Sequence, residues 1–321
     1  PLTGRPYQWH RMRLVFQRGK AFYLEFTVRL FWALLVRRAD LITANDLDTL
    51  LPCYLVSRLK GIPLLYDSHE YFTEVPELVH RPRTRAMWLW LERRLFPRLR
   101  WVITVNDSLA RAYTARYGGP VEVIRNLPLR QAPPPTGERP AMLLYQGALN
   151  LGRGIELMID AMAFLPAYRL EIAGRGDVEE ALRQRAQAMP NVHFHGFVPP
   201  EALRDLTCQA RLGFSLEEDL GANYRFASPN KVYDYIQAHT PVLVSDLPEM
   251  AALVRAHGVG DILPADARTP QELAQRVRAL VEEPARYRAA VEACQEAAQQ
   301  LNWEQERSRL LTLYERVFSE Q

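Results

Sequence analysis

The strongest constraint on this chain is a pattern it passes through twice: short apolar runs alternate with amphipathic stretches of about ten to twenty residues, as in a parallel sheet wrapped by helices. In the first half the strand runs are 41–44, 64–67, 101–105 and 121–124; in the second they are 142–146, 169–173, 192–195, 212–215 and 242–245. Between the halves lies LPLRQAPPPTGERP, residues 127–140, whose prolines forbid a regular element and make it a linker. From Pro270 the pattern is helical to the end, with breaks near Pro284 and Asn302. A length of 321 residues suits two domains of roughly 150 each. The expected fold is α/β, two doubly wound domains over 1–130 and 131–302 that face a cleft, with helix 303–321 packing back on the first. Ligands bind in such folds beyond the carboxyl ends of the strands, so motifs at those ends carry the functional argument.

The run SPNKVYDYIQAHTPVLVSD, residues 228–246, opens a helix and leads into a buried strand. Ser228 and Pro229 read as N-cap and first helical position, so free N–H groups and the positive helix end face whatever lies ahead. Asn230, Lys231 and Asp234 share one face of that helix. An anion at Lys231 and the helix end, beside a diol on the Asp234 carboxylate, is the pair of groups that a nucleoside diphosphate offers. Lysine is rare here: Lys20, Lys60 and Lys231 stand among forty basic residues, and a compact ammonium suits a phosphate where planar pairing is not required. The plain alternative is an ordinary capped helix with a solvated lysine in its first turn.

After 142–146 comes YQGALNLGRGIELMIDAM, in which Gly147, Gly152 and Gly154 surround a turn and Arg153 precedes a helix, placed to pair with a phosphate. Tight turns need glycine in any case. IAGRGD (172–177) and VHFHGFVP (192–199) put Arg175 and His195 at two more strand ends, where His195 reads first as a histidine without a special role. In the first half, YDSHEYFTE (66–74) places His69 and Glu70 just past a strand. A histidine there faces the cleft as a donor; otherwise it pairs with Glu70. Asn45, Asp46, Asn106 and Asp107 also end strands and suit helix caps.

In this order the motifs resemble the retaining, nucleotide-sugar-dependent glycosyltransferases of the GT-B fold, in particular family 4. The likeness runs from about Leu41 to Phe318 and is carried by GALNLGRG, IAGRGD, NVHFHGFVPPEAL, FSLEED and SPNKVYDYIQAHTPVLVSD. It implies two Rossmann-like domains, the second holding the nucleotide sugar. Gly147, Arg153, Asn230 and Lys231 would then meet the diphosphate, Asp234 the ribose and His69 the transferred sugar, with Arg175, His195 and Tyr224 as base or sugar contacts. The family usually has glutamate where Asp234 stands. It also pairs two acidic residues eight positions apart, and eight before Asp234 lies Phe226. Glu218, in the Ser-x-x-Glu of SLEE, is the candidate for that second catalytic residue beside His69; Asn223 or Tyr224 would otherwise fill the sugar contact. Retention by same-face attack is implied, with no cofactor and no metal. The family builds six or seven strands in the first domain where about four are readable here, so that domain is expected to be truncated, and the chain begins at Pro1 as a fragment would.

A net charge of +3 is too small to imply a nucleic-acid partner. Cys53, Cys208 and Cys294 give neither metal-ligand spacing nor a disulfide framework, which favours the cytoplasm. Residues 81–101 mix seven arginines with Trp88, Trp90, Leu91, Leu95 and Phe96, as an interfacial helix does, or as a helix covering a sheet with its arginines in water. With the apolar stretch 22–36, the first of these readings is compatible with a lipid-linked acceptor and contact with the inner face of a membrane, although neither segment is long enough to span one. The expected activity is hexosyl transfer from a nucleotide sugar to a glycan or lipid-linked acceptor in cell-surface polysaccharide or glycolipid assembly. The alternatives are a sugar-nucleotide epimerase of the same fold and a non-catalytic nucleotide-sugar or membrane-binding module.

Overall fold

A computed structural model describes residues 7–75, 78, 81–135 and 137–320; the first six residues of the expected first domain, Thr136 of the linker and Gln321 of the last helix lie outside these. The described strands form two all-parallel sheets. The first has the order β1-β2-β3-β4, with β1 Ile42–Asn45, β2 Leu64–Ser68, β3 Trp101–Thr104 and β4 Glu122–Val123. The second has the order β10-β9-β8-β5-β6-β7, with β5 Met142–Gln146, β6 Arg169–Ala173, β7 Val192–Gly196, β8 Leu212–Ser215, β9 Val242–Ser245 and β10 Gly260–Leu263. β10 was not legible as a strand. Its GDIL lacks an apolar run because it is an edge strand with only Leu263 fully buried.

Strands β3, β5, β8 and β9 are buried along their whole length, as expected where helices cover both faces. β1 alternates between buried and exposed residues. Helix Asp46–Lys60 turns Leu47, Leu50, Cys53 and Val56 onto the first sheet. On the opposite face of that sheet, helix Trp303–Ser319 sets Leu313 and Val317 against Leu65, Trp101 and Ile103. Its start is capped by Asn302, whose side chain accepts from Gln305 N.

Asn106 is the cap its sequence suggests, accepting from Leu109 N. Asp46 is not: at φ +57° it opens its helix, and its carboxylate accepts from His69 N at 2.9 Å. Ser228 does not cap either, since its hydroxyl pairs with that of Tyr233 at 2.8 Å and Pro229 occupies the cap position.

Most aromatic mass of 81–101 covers the sheet: Trp88, Leu95, Phe96 and Trp101 are buried, while Met87 and Trp90 face out. Helix Gly19–Val36 packs Tyr23, Leu30, Phe31 and Leu34 on the core but exposes Leu24, Val28, Trp32 and Val36, one per turn. Among the described residues no helix is long and apolar enough to cross a membrane.

The two halves meet through side chain to main chain bonds. Asn223 Oδ1 accepts from Tyr71 N at 3.0 Å, Asn106 Nδ2 donates to Phe226 O at 2.8 Å, and Glu249 Oε1 accepts from Ser108 N at 2.8 Å.

Candidate active site

In the second sheet the strand order reverses between β5 and β8, where a ligand crevice belongs. These strands pair only through Leu143 with Leu212 and Leu144 with Gly213. Beyond that, the Tyr235 hydroxyl enters between them, accepting from Gln146 N and donating to Leu144 O, both at 3.1 Å. A Cβ on Gly213 would lie 2.5 Å from the Tyr235 ring, so the ring requires glycine there. Tyr235 thereby pins helix Asn230–Gln237 to the crevice, and Lys231, one turn earlier on the same face, stands at its mouth.

Lys231 Nζ is 4.2 Å from the Tyr145 ring centroid and 2.8 Å from Glu217 Oε1. Glu217 is fully buried; its other oxygen accepts from Ser215 Oγ at 2.7 Å, and Arg153 approaches it at 3.5 Å. Arg153 stacks on Tyr224 at 5.2 Å, and among the described residues its buried Nε has no hydrogen-bond acceptor. Burial pulls the Lys231 pKa below its ordinary value, with Glu217 opposing the fall. Burial also resists ionisation of Glu217, but Lys231, Ser215 and Arg153 outweigh it and hold the pKa low. The result is two cations and one carboxylate at a cleft of about 510 Å³, lined from the second domain by Gly147, Arg153, Tyr224, Asn230 and Lys231 and from the first by His69.

A Cβ on Gly174 would fall 1.8 Å from Gly147 O, so the turns after β5 and β6 touch and form a closed floor. Behind it, Gln146 separates the cleft from a second hollow of about 320 Å³. That hollow holds Asp234, whose Oδ2 accepts from Gln146 Nε2 at 3.2 Å. Burial raises the Asp234 pKa to about 6, and the Gln146 bond acts against the rise. Across the cleft, His69 Nε2 lies 3.0 Å from Asp67 Oδ2, and that bond raises the imidazole pKa. Its partner is Asp67 where pairing with Glu70 was the plain expectation.

Two family models match the sequence, "Glycosyltransferase Family 4" over residues 3–127 and "Glycosyl transferases group 1" over residues 140–283. The chain belongs to the GT-B, family 4-like glycosyltransferases. Solved structures share the fold. Sucrose-phosphate synthase from Thermosynechococcus elongatus is 20% identical with a TM-score of 0.77, over 94% of this chain and 79% of that one. HepE of Anabaena, in complex with UDP and glucose, is 18% identical with a TM-score of 0.71, over 92% and 83%. A glycosyltransferase from Rickettsia africae is 10% identical with a TM-score of 0.73, over 97% and 86%. Among curated proteins none matches the sequence.

In this glycosyltransferase three expected site residues lie outside both cavities. Glu218 is turned away: its main-chain N donates to Gly152 O, and the carboxylate that reaches the cations is that of its neighbour Glu217. The side chains just past β8 still alternate, so moving one position along SLEE exchanges the crevice for the opposite side. His195 is held at 2.7 Å by Glu171 of β6, which Arg169 also approaches. Arg175 is exposed and leans over Gly196. Asn230 bonds Asn126 across the cleft at 3.2 Å, and Tyr224 donates to Leu151 O at 2.9 Å. The sequence reading missed Tyr145, Gln146, Glu217 and Tyr235. The glutamine ends β5 next to Gly147, which was a usable signal; nothing local marks the two tyrosines.

Proposed function

We propose that this glycosyltransferase takes its sugar from a nucleoside diphosphate donor, with the diphosphate at Lys231, Arg153, Asn230 and the Gly147 main chain and the ribose on Asp234. The observation that carries the reading is the pair of cations Lys231 and Arg153, both held by Glu217 and both lining a cleft between two domains. HepE, alike in fold, has been seen with UDP and glucose, which supports a diphosphate here. As the donor breaks, charge accumulates on the departing diphosphate, and two fixed cations stabilise it without a metal. His69, on the opposite wall, donates to a hydroxyl of the transferred hexosyl group or faces its cationic centre. The acceptor hydroxyl then attacks from the side the diphosphate leaves, retaining configuration.

The acceptor is a glycan or lipid-linked sugar of cell-surface assembly, met at the cytoplasmic face of a membrane. Exposed Leu24, Val28, Trp32 and Val36 on helix Gly19–Val36, with Trp90 nearby in sequence to Arg93 and Arg94, support that surface better than 81–101 as a whole. Residues 1–130 with helix 303–321 form the acceptor side and 131–302 the donor side of this reading.

The test is thermal stabilisation by UDP-, GDP-, ADP- and dTDP-sugars, followed by NMR of the product anomer. A base-specific shift lost in Lys231→Ala, with an α-donor giving an α-product, is the expected result. No shift with any donor removes the donor assignment, and interconversion of the donor sugar without acceptor makes the protein an epimerase.

A further inference from the structure

The carboxylate at the floor of the cleft is a paradox for an anion site. Glu217 lowers the net positive charge that a diphosphate would meet, yet it is fully buried and within ion-pair distance of both side chains proposed to bind the phosphates, 2.8 Å from Lys231 and 3.5 Å from Arg153. Lys231 is itself only 8% exposed. Burial disfavours its charged form, and the Arg153 guanidinium, sharing the same carboxylate, disfavours it further. Without Glu217 only Tyr224 opposes these two influences, and a neutral amine binds phosphate weakly. A carboxylate lying under a surface that binds anions therefore has a use that packing does not require: it keeps the ammonium charged and aimed.

We infer that Glu217 is a positioning residue of the donor site, an internal counter-ion that holds Lys231 protonated and fixes its ammonium over the end of β5. Ser215 Oγ, donating to Oε2 at 2.7 Å, sets the carboxylate plane so that Oε1 is the oxygen left for Lys231. The inference rests on the proposed donor site. The groups facing Lys231 are Glu217 from the β8 loop, Arg153 from the glycine turn, Tyr145 from β5 and Tyr224 from helix Ala222–Arg225; Arg268 lies below Glu217, and Glu156 lies near Tyr145. His69 and Glu70 face the cleft from the other domain. Among these, only Glu217 is within ion-pair distance of the ammonium.

The experiment measures affinity for UDP, GDP, ADP and dTDP by calorimetry from pH 7.5 to 9.0, above the last phosphate ionisation and below that of the bases, in wild type, Glu217→Gln, Ser215→Ala, Lys231→Ala and Glu217→Gln with Lys231→Arg. Wild type should vary by less than about threefold over this range. Glu217→Gln should bind more weakly as pH rises, the loss steepening toward the roughly tenfold per pH unit of a single deprotonation. Adding Lys231→Arg should flatten that slope, because a guanidinium stays charged. Ser215→Ala, which keeps the charge and loosens its aim, should weaken binding a few-fold at every pH; it serves as the second test should Glu217→Gln fail to fold. Wild-type affinity and slope in Glu217→Gln overturn the inference, as does a uniform loss without a slope, which marks a packing role alone. Lys231→Ala binding as wild type does would remove the donor site itself.

Discussion

The two walls of the cleft are built differently. On the second domain's wall, the charged groups are buried, mutually neutralised and fixed by tyrosines: Lys231, Glu217, Tyr145 and Tyr235. On the first domain's wall, His69 is 44% exposed and held by two carboxylates, Asp67 at its ring and Asp46 at its main chain. The contrast teaches where preorganisation is concentrated. A diphosphate must be met by charges already in place, because moving an ion out of water at the moment of binding is costly. A sugar hydroxyl needs only a donor of adjustable reach.

The largest effect should come from Lys231→Ala. Donor affinity should fall at least about 100-fold, and the stranded Glu217 should cost about 3 kcal/mol of stability, as removal of one partner from a buried pair does. Adding Glu217→Gln should recover most of that stability in chemical denaturation while binding in calorimetry stays lost. His69→Ala should leave donor affinity within about twofold and lower kcat about tenfold or more. A loss of donor affinity as large as that of Lys231→Ala would break the comparison. Next is Gly174→Ala, which forces apart the turns after β5 and β6 and should cost about 2–4 kcal/mol. Gly118→Ala in the first domain, at φ +70° with nothing within 4 Å, should cost about 1 kcal/mol.

Asp234→Asn follows. The Asp234 pKa, raised to about 6 in the fold from an ordinary 3.8, means the native state binds its proton more tightly than the unfolded chain. Stability from this group is thus fully present below about pH 4 and is lost as pH rises through about 6. The asparagine variant should be up to about 3 kcal/mol more stable than wild type at pH 7 and no more stable at pH 4. His69, also raised, shifts stability in the same sense but by less, being half in water. Smallest is Asn223→Ala, which removes one cross-domain bond and should raise the donor KM a few-fold.

How much of this was legible depends on whether the signal was local. Nine of the ten strands were, because their apolar runs are short and bounded by turn residues; β10 escaped because an edge strand buries little. The Lys231 and Arg153 positions follow from strand-end motifs. Glu217 was not separable from Glu218, since two adjacent glutamates after β8 differ only in which way the backbone turns them. Tyr235 was hidden more deeply: its role arises from the divergence of β5 and β8, strands separated by more than sixty residues, and no local pattern encodes a gap between them. His195 carries a similar lesson, for its partner Glu171 sits on a neighbouring strand.

The cross-domain bonds of Asn223, Asn106 and Glu249 each end on a main-chain atom. Such a contact is encoded by one residue and not by a matched pair, so the side chains of Tyr71, Phe226 and Ser108 can drift without a compensating change across the seam. Mutational divergence on one domain then leaves its contact with the other intact, and loops of the first domain are open to diversification while the second stays as it is.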